Sequence, residues 1–308
     1  MAHHRVVVIG GNNVDITATS TTPLVYGDSN PGSIHTGLGG VARKIAENLT
    51  RLQQQTSLVS VFGDDEFARL ALAQAKEIGL DLSLSQFVAN AASSVYVCIN
   101  EPGGDMSVAV NDMALCERMM PGFFEERLDV LNTADAIVLD ANLPELSVDY
   151  LVQHCTPPIF ADAVSAKKAP RLHRSLPRLK TLKANQIEVE LLTGVSITDE
   201  HSMADAARLL HQMGVEMVLI TLGRRGAFAS DGNTQVFERP LPLKVVNTTG
   251  CGDAFMAAAT LAVLEKRGAA EVLRQGLAAA ALCAQSERAV SEQLSPEALA
   301  TTLQSIQP

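Results

Sequence analysis

The sequence predicts a doubly wound α/β domain on a mostly parallel sheet, with a small β-rich appendage. Short β-branched runs alternate with helix-period segments, and two of the runs end in aspartate, at Asp140 and Asp162, where ligand crevices open in such sheets. Hydrophobic residues make up 47% of the chain but aromatics only 4%, with no tryptophan, so the core is built of Ala, Leu and Val. That composition suits helices on a parallel sheet better than a sandwich. At 308 residues the chain exceeds ordinary single-domain length, yet no repeat, low-complexity tract or linker divides it.

The first strand is read over Arg5 to Gly10, closed by a turn at Gly10-Gly11-Asn12. Turn formers Pro23, Gly27, Asp28, Asn30, Pro31 and Gly32 mark residues 13–36 as an excursion from the sheet. Gly39-Gly40 opens a helix on which Val41, Ile45, Asn48, Leu49 and Leu52 recur at helical spacing. Thr56 to Phe62 reads as a strand, Glu66 to Ile78 as a helix capped by Gly79, and Leu82 to Val88 as extended. Ser93 to Ile99 and Met106 to Val110, joined by a Gly-containing loop, read as a hairpin that pairs with the first excursion. The α/β rhythm then resumes with a helix over Gly122 to Leu131, strand Ala136 to Asp140, helix Ser147 to His154 and strand Ile159 to Asp162. It continues through Leu179 to Leu182, helix Gln186 to Leu192, helix Met203 to Met213, strands from Met217, Gly226 and Thr234, and closing helices near Gly252, Ala269 and Pro296.

A formal net charge of -10 argues against a duplex nucleic-acid surface, which needs clustered cations. The basic segment Arg171 to Arg178, flanked by Pro170 and Pro177, reads as a solvated connection. Five dispersed cysteines without a C-x-x-C pair indicate neither a disulfide framework nor a zinc site, and fit a reducing compartment. The apolar run after Arg5 is too short for a signal peptide or a membrane span, so a cytoplasmic protein is expected.

Asn247-Thr248-Thr249-Gly250-Cys251-Gly252-Asp253 leads directly into an Ala-rich helix. Exposed N–H groups at such a helix start suit a phosphate, and a carboxylate in the same turn suits a general base; a plain capping motif accounts for the segment equally well. Thr221 to Gly226 is a glycine turn at a strand end, which either cradles phosphates or merely closes a hairpin. Asn185 and Glu188 have capping-box spacing, and Glu188 alternatively helps hold Mg²⁺ through waters. Asn13 and Asp15, just past the first strand, are placed to grip vicinal hydroxyls or to form an Asx turn. There is no G-x-G-x-x-G, H-E-x-x-H or G-x-S-x-G, and Arg43 stands where a Walker A loop needs glycine before Lys44.

Taken in order, Asn13-Val14-Asp15, Gly39-Gly40, Asn185 with Glu188, and Gly250 to Asp253 resemble the ribokinase-like, PfkB-type carbohydrate kinases along almost the whole chain. The resemblance implies a three-layer α/β/α core over residues 1–12, 37–89 and 114–308, with a small β lid at 13–36 and 90–113. It implies ATP-dependent transfer to a sugar or nucleoside hydroxyl, with Asp253 as base and the amides of Gly250, Cys251 and Gly252 as anion hole. Asn185, Thr221, Gly223 and Gly226 then line the ATP side, Glu188 serves Mg²⁺, and Asn13, Asp15, Gly39 and Gly40 face the acceptor. Within the family, Asp28-Ser29-Asn30-Pro31-Gly32, Ser94 and Asn111-Asp112 are similar to the pseudouridine kinase subgroup, whose lid would read a uracil edge. Other sugars or nucleosides, and a non-catalytic binding protein on the same fold, are the alternatives. Lids of this kind often pair in the family, so the resemblance implies a homodimer.

The chain departs from the pattern in places. Lys44 stands where the family signature has an asparagine, a long cation that fills part of the pocket or favours an anionic acceptor. Ala184 replaces a proline, and Asn247 replaces an aspartate near the monovalent-cation site, which leaves K⁺ activation open.

Overall fold

The computed structural model describes residues 2–305; the outermost ends of the first and last predicted core segments, residue 1 and residues 306–308, lie outside them. From the N-terminus the elements are β1 (Arg5–Ile9), β2 (Asn13–Ser20), β3 (Gly32–Gly39), α1 (Val41–Arg51), β4 (Gln55–Val59), β5 (Val61–Phe62), α2 (Glu66–Ile78) and β6 (Gln86–Phe87). Then come β7 (Val95–Asn100), β8 (Met106–Asp112), α3 (Pro121–Glu125), α4 (Leu128–Leu131), β9 (Ala136–Asp140), α5 (Glu145–His154), β10 (Ile159–Asp162), β11 (Leu179–Asn185), α6 (Gln186–Thr193) and α7 (Glu200–Gln212). The chain closes with β12 (Met217–Thr221), β13 (Ala227–Ser230), β14 (Gln235–Glu238), α8 (Cys251–Leu264), α9 (Ala269–Ala284) and α10 (Pro296–Gln304).

The main sheet runs β14-β13-β12-β11-β10-β9-β1-β4, parallel except for β13 and β14 at one end, which pair antiparallel. Strand alternation sends Val6 and Val8 into one core with α1, α8 and α9, and Val7 and Ile9 into a second core with α5, α6 and α7. Burial on both faces is why these strands read as continuous apolar runs. Helix α8 is buried all round from Asp253 to Val263, and a Cβ on Gly276 of α9 would meet the Phe255 ring at 2.5 Å. The missing side chain lets the two helices close on each other.

A second sheet of order β3-β2-β7-β8 stands at the C-terminal edge of the first. The hairpin β7–β8 pairs with the first excursion, β7 lying parallel to β2. Directly paired residues share a face, so Asp15, Thr17, Tyr96, Cys98 and Asn111 line one side and Ile16, Ile34, Val97, Ile99, Val108 and Val110 the other.

Several local expectations are corrected. The helix over Gly122 to Leu131 is interrupted at Glu126–Arg127, where the Arg127 guanidinium lies 3.9 Å from the Phe123 ring centre and donates to Leu84 O and Phe123 O. Thr56 to Phe62 splits into β4 and β5 around Ser60, whose hydroxyl donates to Gly10 O at 2.7 Å. Of Leu82 to Val88, only Gln86–Phe87 pairs as a strand. Arg171 to Arg178 is not a solvated connection: it belongs to a 3₁₀ run over Ala169–Arg178 that buries Ala169, Leu172, Ser175 and Leu176. Among the described residues, no helix is long and apolar enough to cross a membrane.

Candidate active site

The parallel strands end in one row at which Asp140, Asp162 and Lys183 are direct cross-strand neighbours, followed by Asn185 opposite Thr221. Asp140 is fully buried and accepts from the N–H groups of Gly11 (3.0 Å), Ala42 (2.8 Å) and Asn142 (2.9 Å), and from Asn142 Nδ2 (2.8 Å). Burial pushes its pKa up, and these donors oppose that. The carboxylate thereby ties the turn after β1 to the start of α1. A Cβ on Gly10 would sit 2.3 Å from Asp140 Oδ1, and one on Gly40 (φ +90°) would sit 2.4 Å from Gly11 O, so both positions exclude larger residues.

This clamp sets the acceptor corner. Asn13 Nδ2 donates to Asp15 Oδ1 at 2.5 Å, and a Cβ on Gly39 would meet the Asp15 carboxylate at 2.4 Å. Asn13, Asp15, Gly39 and Gly40 thus come together where β2, β3 and α1 meet. One turn into α1, Lys44 Nζ reaches Asp253 Oδ2 at 2.8 Å, with both side chains buried.

On the far side, Gly250 caps α8 with φ +86°, and a Cβ there would lie 1.8 Å from Ala289 O. Of the amides predicted for an anion hole, Cys251 N–H is spent on Thr248 O at 3.3 Å. Asp253 N–H is spent on Gly250 O at 3.0 Å, which leaves Gly250 and Gly252 to offer donors. Lys183 Nζ bonds Asp162 Oδ2 at 2.9 Å and stands 3.0 Å from where a Gly252 Cβ would be, so a buried ammonium backs the turn. Burial raises the Asp253 pKa, with Lys44 and Lys183 opposing and Asp162 reinforcing the rise.

The turn 222–226 joins β12 to β13 as a tight hairpin, Leu222 N–H donating to Gly226 O at 2.9 Å. Glycine is required at Gly226 (φ +116°), because a Cβ there would stand 2.1 Å from Glu238 O. Thr221 and Gly223 lie on the same sheet edge as Asn185. Asn185 and Glu188 make a complete capping box: Glu188 accepts Asn185 N–H (2.7 Å) and Nδ2–H (2.6 Å), while Asn185 Oδ1 accepts Glu188 N–H (3.0 Å).

The remaining lid residues do not gather around Asp253. Asp28, Ser29 and Asn30 form a largely exposed loop whose hydrogen bonds stay within residues 25–30. Asn111 shares the face of Asp15, whereas Asp112 falls on the opposite face and caps Ala114 N–H at 3.0 Å. Ser94 is buried with its Oγ unpartnered, an orphan donor at the root of β7. A cavity of about 650 Å³ runs from Asp15, Thr17 and His35 past Arg43 to Asn247 and Thr249. It reaches the turn before Gly250 but not Asp253, which stands closed behind its ion pair. Sequence reasoning placed Asp140 and Asp162 at strand ends where crevices open but gave them no role, and it passed over Asn142 and Lys183 as site residues; the signal available for Lys183 was a polar residue ending an apolar strand.

The chain matches the pfkB family carbohydrate kinase profile over residues 3–295. It belongs to that family. The kinase is therefore a phosphotransferase acting on a sugar-type hydroxyl. Pseudouridine kinase of Escherichia coli (strain K12) is 32% identical to it over 254 residues, 82% of this chain and 81% of that protein. A carbohydrate kinase from Agrobacterium tumefaciens superposes with TM-score 0.84 at 28% identity, covering 98% of the kinase and 97% of its own chain. Arabidopsis thaliana ribokinase, solved with ribose and ATP, superposes with TM-score 0.87 at 23% identity, covering 98% and 99%.

Proposed function

We propose that the kinase moves the terminal phosphate of ATP to a hydroxyl of pseudouridine, giving pseudouridine 5'-phosphate, with Asp253 as general base. The observation that carries this reading is the Gly250–Asp253 turn, which sets unspent peptide donors beside a buried carboxylate and faces the Asn13–Asp15 corner. The 32% identity to a pseudouridine kinase and the polar row Asp15, Tyr96 and Asn111 on the lid support the acceptor.

The site fits a nucleotide's phosphates. Gly250 and Gly252 N–H, backed by Lys183, would hold the migrating group, with Asn185, Thr221, Gly223 and Gly226 along the nucleotide side. Mg²⁺ would arrive on the phosphates and be met through waters near Glu188, whose carboxylate is held beside Asn185 at the nucleotide side. When bound, ATP·Mg²⁺ supplies the phosphoryl group and neutralises its charge. The protein's own work is positional. Asn13 and Asp15 hold the sugar, Asp253 takes the hydroxyl proton, and the lid face of Asp15 keeps competing water away. Asn247 donates Nδ2–H to Glu287 O at 3.1 Å and accepts Thr249 N–H on Oδ1 at 2.9 Å, which ties the segment before Gly250 to the 287 loop.

The opposite lid face carries Ile34, Val97, Ile99, Val108 and Val110 exposed. An apolar stripe of this kind fits a homodimer through the lid, to be checked by light scattering of the wild type against Val110→Lys.

ADP release measured with pseudouridine, uridine, ribose and fructose tests the acceptor. Preference for pseudouridine over uridine is expected, and equal or absent activity on both would refute it. Asp253→Asn should lower turnover by about 10²-fold or more while ATP still binds; unchanged turnover would remove Asp253 from the role of base.

A further inference from the structure

The ion pair between Lys44 and Asp253 joins α1 to α8 through the centre of the site, with 10% and 8% of the two side chains exposed. A carboxylate taken this far from water would ordinarily neutralise itself by binding a proton. The groups facing Asp253 are Lys44 from α1, Lys183 from β11, Asp162 from β10, Cys251 on its own turn and Cys283 from α9. Lys44 itself faces Asp15 on β2 and Arg43 on its own helix. Lys183 makes its short bond to Asp162 at 2.9 Å, so the cation in direct contact with Asp253 is Lys44. An ammonium has donors only, and here it uses one on Oδ2, leaving Oδ1 as the oxygen that can receive a proton.

We propose that Lys44 is a positioning residue for phosphoryl transfer, its ammonium keeping Asp253 an ionised carboxylate anchored through Oδ2 so that Oδ1 takes the acceptor's proton. The inference rests on the reading of Asp253 as general base. Lys44 responds as a member of a charged pair should: burial lowers its pKa, but Asp253 and Asp15 together more than reverse this and the lysine stays charged, while at Asp253 burial still outweighs the opposing pull of Lys44. Removing the cation therefore raises the Asp253 pKa further and starves the base of its ionised form near neutrality. A residue that only gripped the acceptor would instead raise KM and leave the ionisation of Asp253 alone.

The experiment compares wild type, Lys44→Met and Lys44→Arg by ADP release at saturating acceptor across the acid-to-alkaline range. In Lys44→Met the acid limb of kcat is expected to move upward by about one to three pH units, with kcat near neutrality down about tenfold or more. Lys44→Arg keeps the charge and should keep the limb in place. A limb unmoved in Lys44→Met, or moved equally in both variants, overturns the proposal. Carbon-13 NMR titration of aspartate-labelled protein, assigned with Asp253→Asn, reads the same ionisation without turnover. An Asp253 titration unchanged by loss of Lys44 overturns the proposal even if the variants are slow. Should the wild type turn over none of the acceptors, the phosphotransfer reading fails while the NMR titration still decides the claim about Asp253. If Lys44→Met does not fold, Lys44→Gln makes the same comparison with a polar, neutral side chain.

Discussion

Asn111 stands two strands away from Asp15 on the same face of the lid sheet, with Tyr96 between them in a continuous cross-strand row. The row follows from the parallel register of β2 on β7 and the antiparallel register of β8, and one residue's slip would invert it. Asp112, the next residue, belongs to the outer face and spends a carboxylate oxygen on Ala114 N–H. Asn111→Ala should therefore raise the acceptor KM about fivefold, the worth of roughly one hydrogen bond, with kcat little changed. Asp112→Ala should leave KM unmoved. Steady-state kinetics on the pair checks this, and the reverse order of effects would place the acceptor against the wrong face.

Gly250 and Gly252 should respond differently to the same methyl group. A Cβ at Gly250 would meet the carbonyl of Ala289 at 1.8 Å in a backbone with φ +86°, so Gly250→Ala must shift either α8 or the 289 loop. At Gly252 the neighbour is Lys183 Nζ at 3.0 Å, the movable end of a long side chain. Melting curves are expected to fall clearly for Gly250→Ala and slightly for Gly252→Ala, while both lose about 10²-fold in kcat because both crowd the anion hole. A Gly252→Ala enzyme with full turnover would remove that turn from the chemistry.

Cys251 begins α8, and its thiol is held below the usual value chiefly by a hydrogen bond from Cys283, with burial opposing. Burial pushes Cys116 up to about 12 and Cys155 up to about 11. Iodoacetamide at neutral pH should therefore modify Cys251 well before Cys116 or Cys155, and the reaction should inactivate the kinase and be slowed by ATP. Peptide mass spectrometry over time reads the order directly. Faster labelling at Cys116 or Cys155, or full activity after alkylation of Cys251, would contradict the placement of this thiol beside the phosphate turn.

Much of this was legible in the chain itself because the signals were local. β-branched runs such as Arg5 to Ile9 and the Gly250–Asp253 turn need only their own residues to be recognised, and Asn185 with Glu188 forms the capping box that its spacing predicts. What the sequence hid are relations across long separations. Asp140 clamps Gly11 and Ala42 from about a hundred residues away, and nothing near Asp140 announces those partners. Lys44 reads in the sequence as a cation that fills part of the acceptor pocket or favours an anionic acceptor, and only the approach of α1 to α8 sets it against Asp253. The break at Arg127 depends on a carbonyl of Leu84, and the burial of Leu172 and Leu176 depends on the second core. Helix-period and strand-period patterns carry no information about such contacts.

Asp65 is a further long-range tie, and its charge state makes it testable by pH. Its Oδ1 accepts from Ala68 N–H at 3.0 Å as the N-cap of α2, and from the Ser93 hydroxyl at 2.7 Å; Oδ2 accepts Ser93 N–H at 2.7 Å. The carboxylate thus joins the start of α2 to the segment that leads into the lid. Burial acts to raise its pKa, but the bonds from Ser93 and Ala68 prevail and hold it below the ordinary value. A depressed folded-state pKa means that the unfolded chain binds the proton more readily, so the stabilisation is complete above about pH 4 and fades as pH falls through the folded value. Asp65→Ala should cost about 1–2 kcal/mol in urea unfolding at neutral pH. The gap to the wild type should narrow as the pH is lowered into the acid range where both states become protonated. A gap that stays constant with pH would mean that the contribution of Asp65 is one of shape and not of charge.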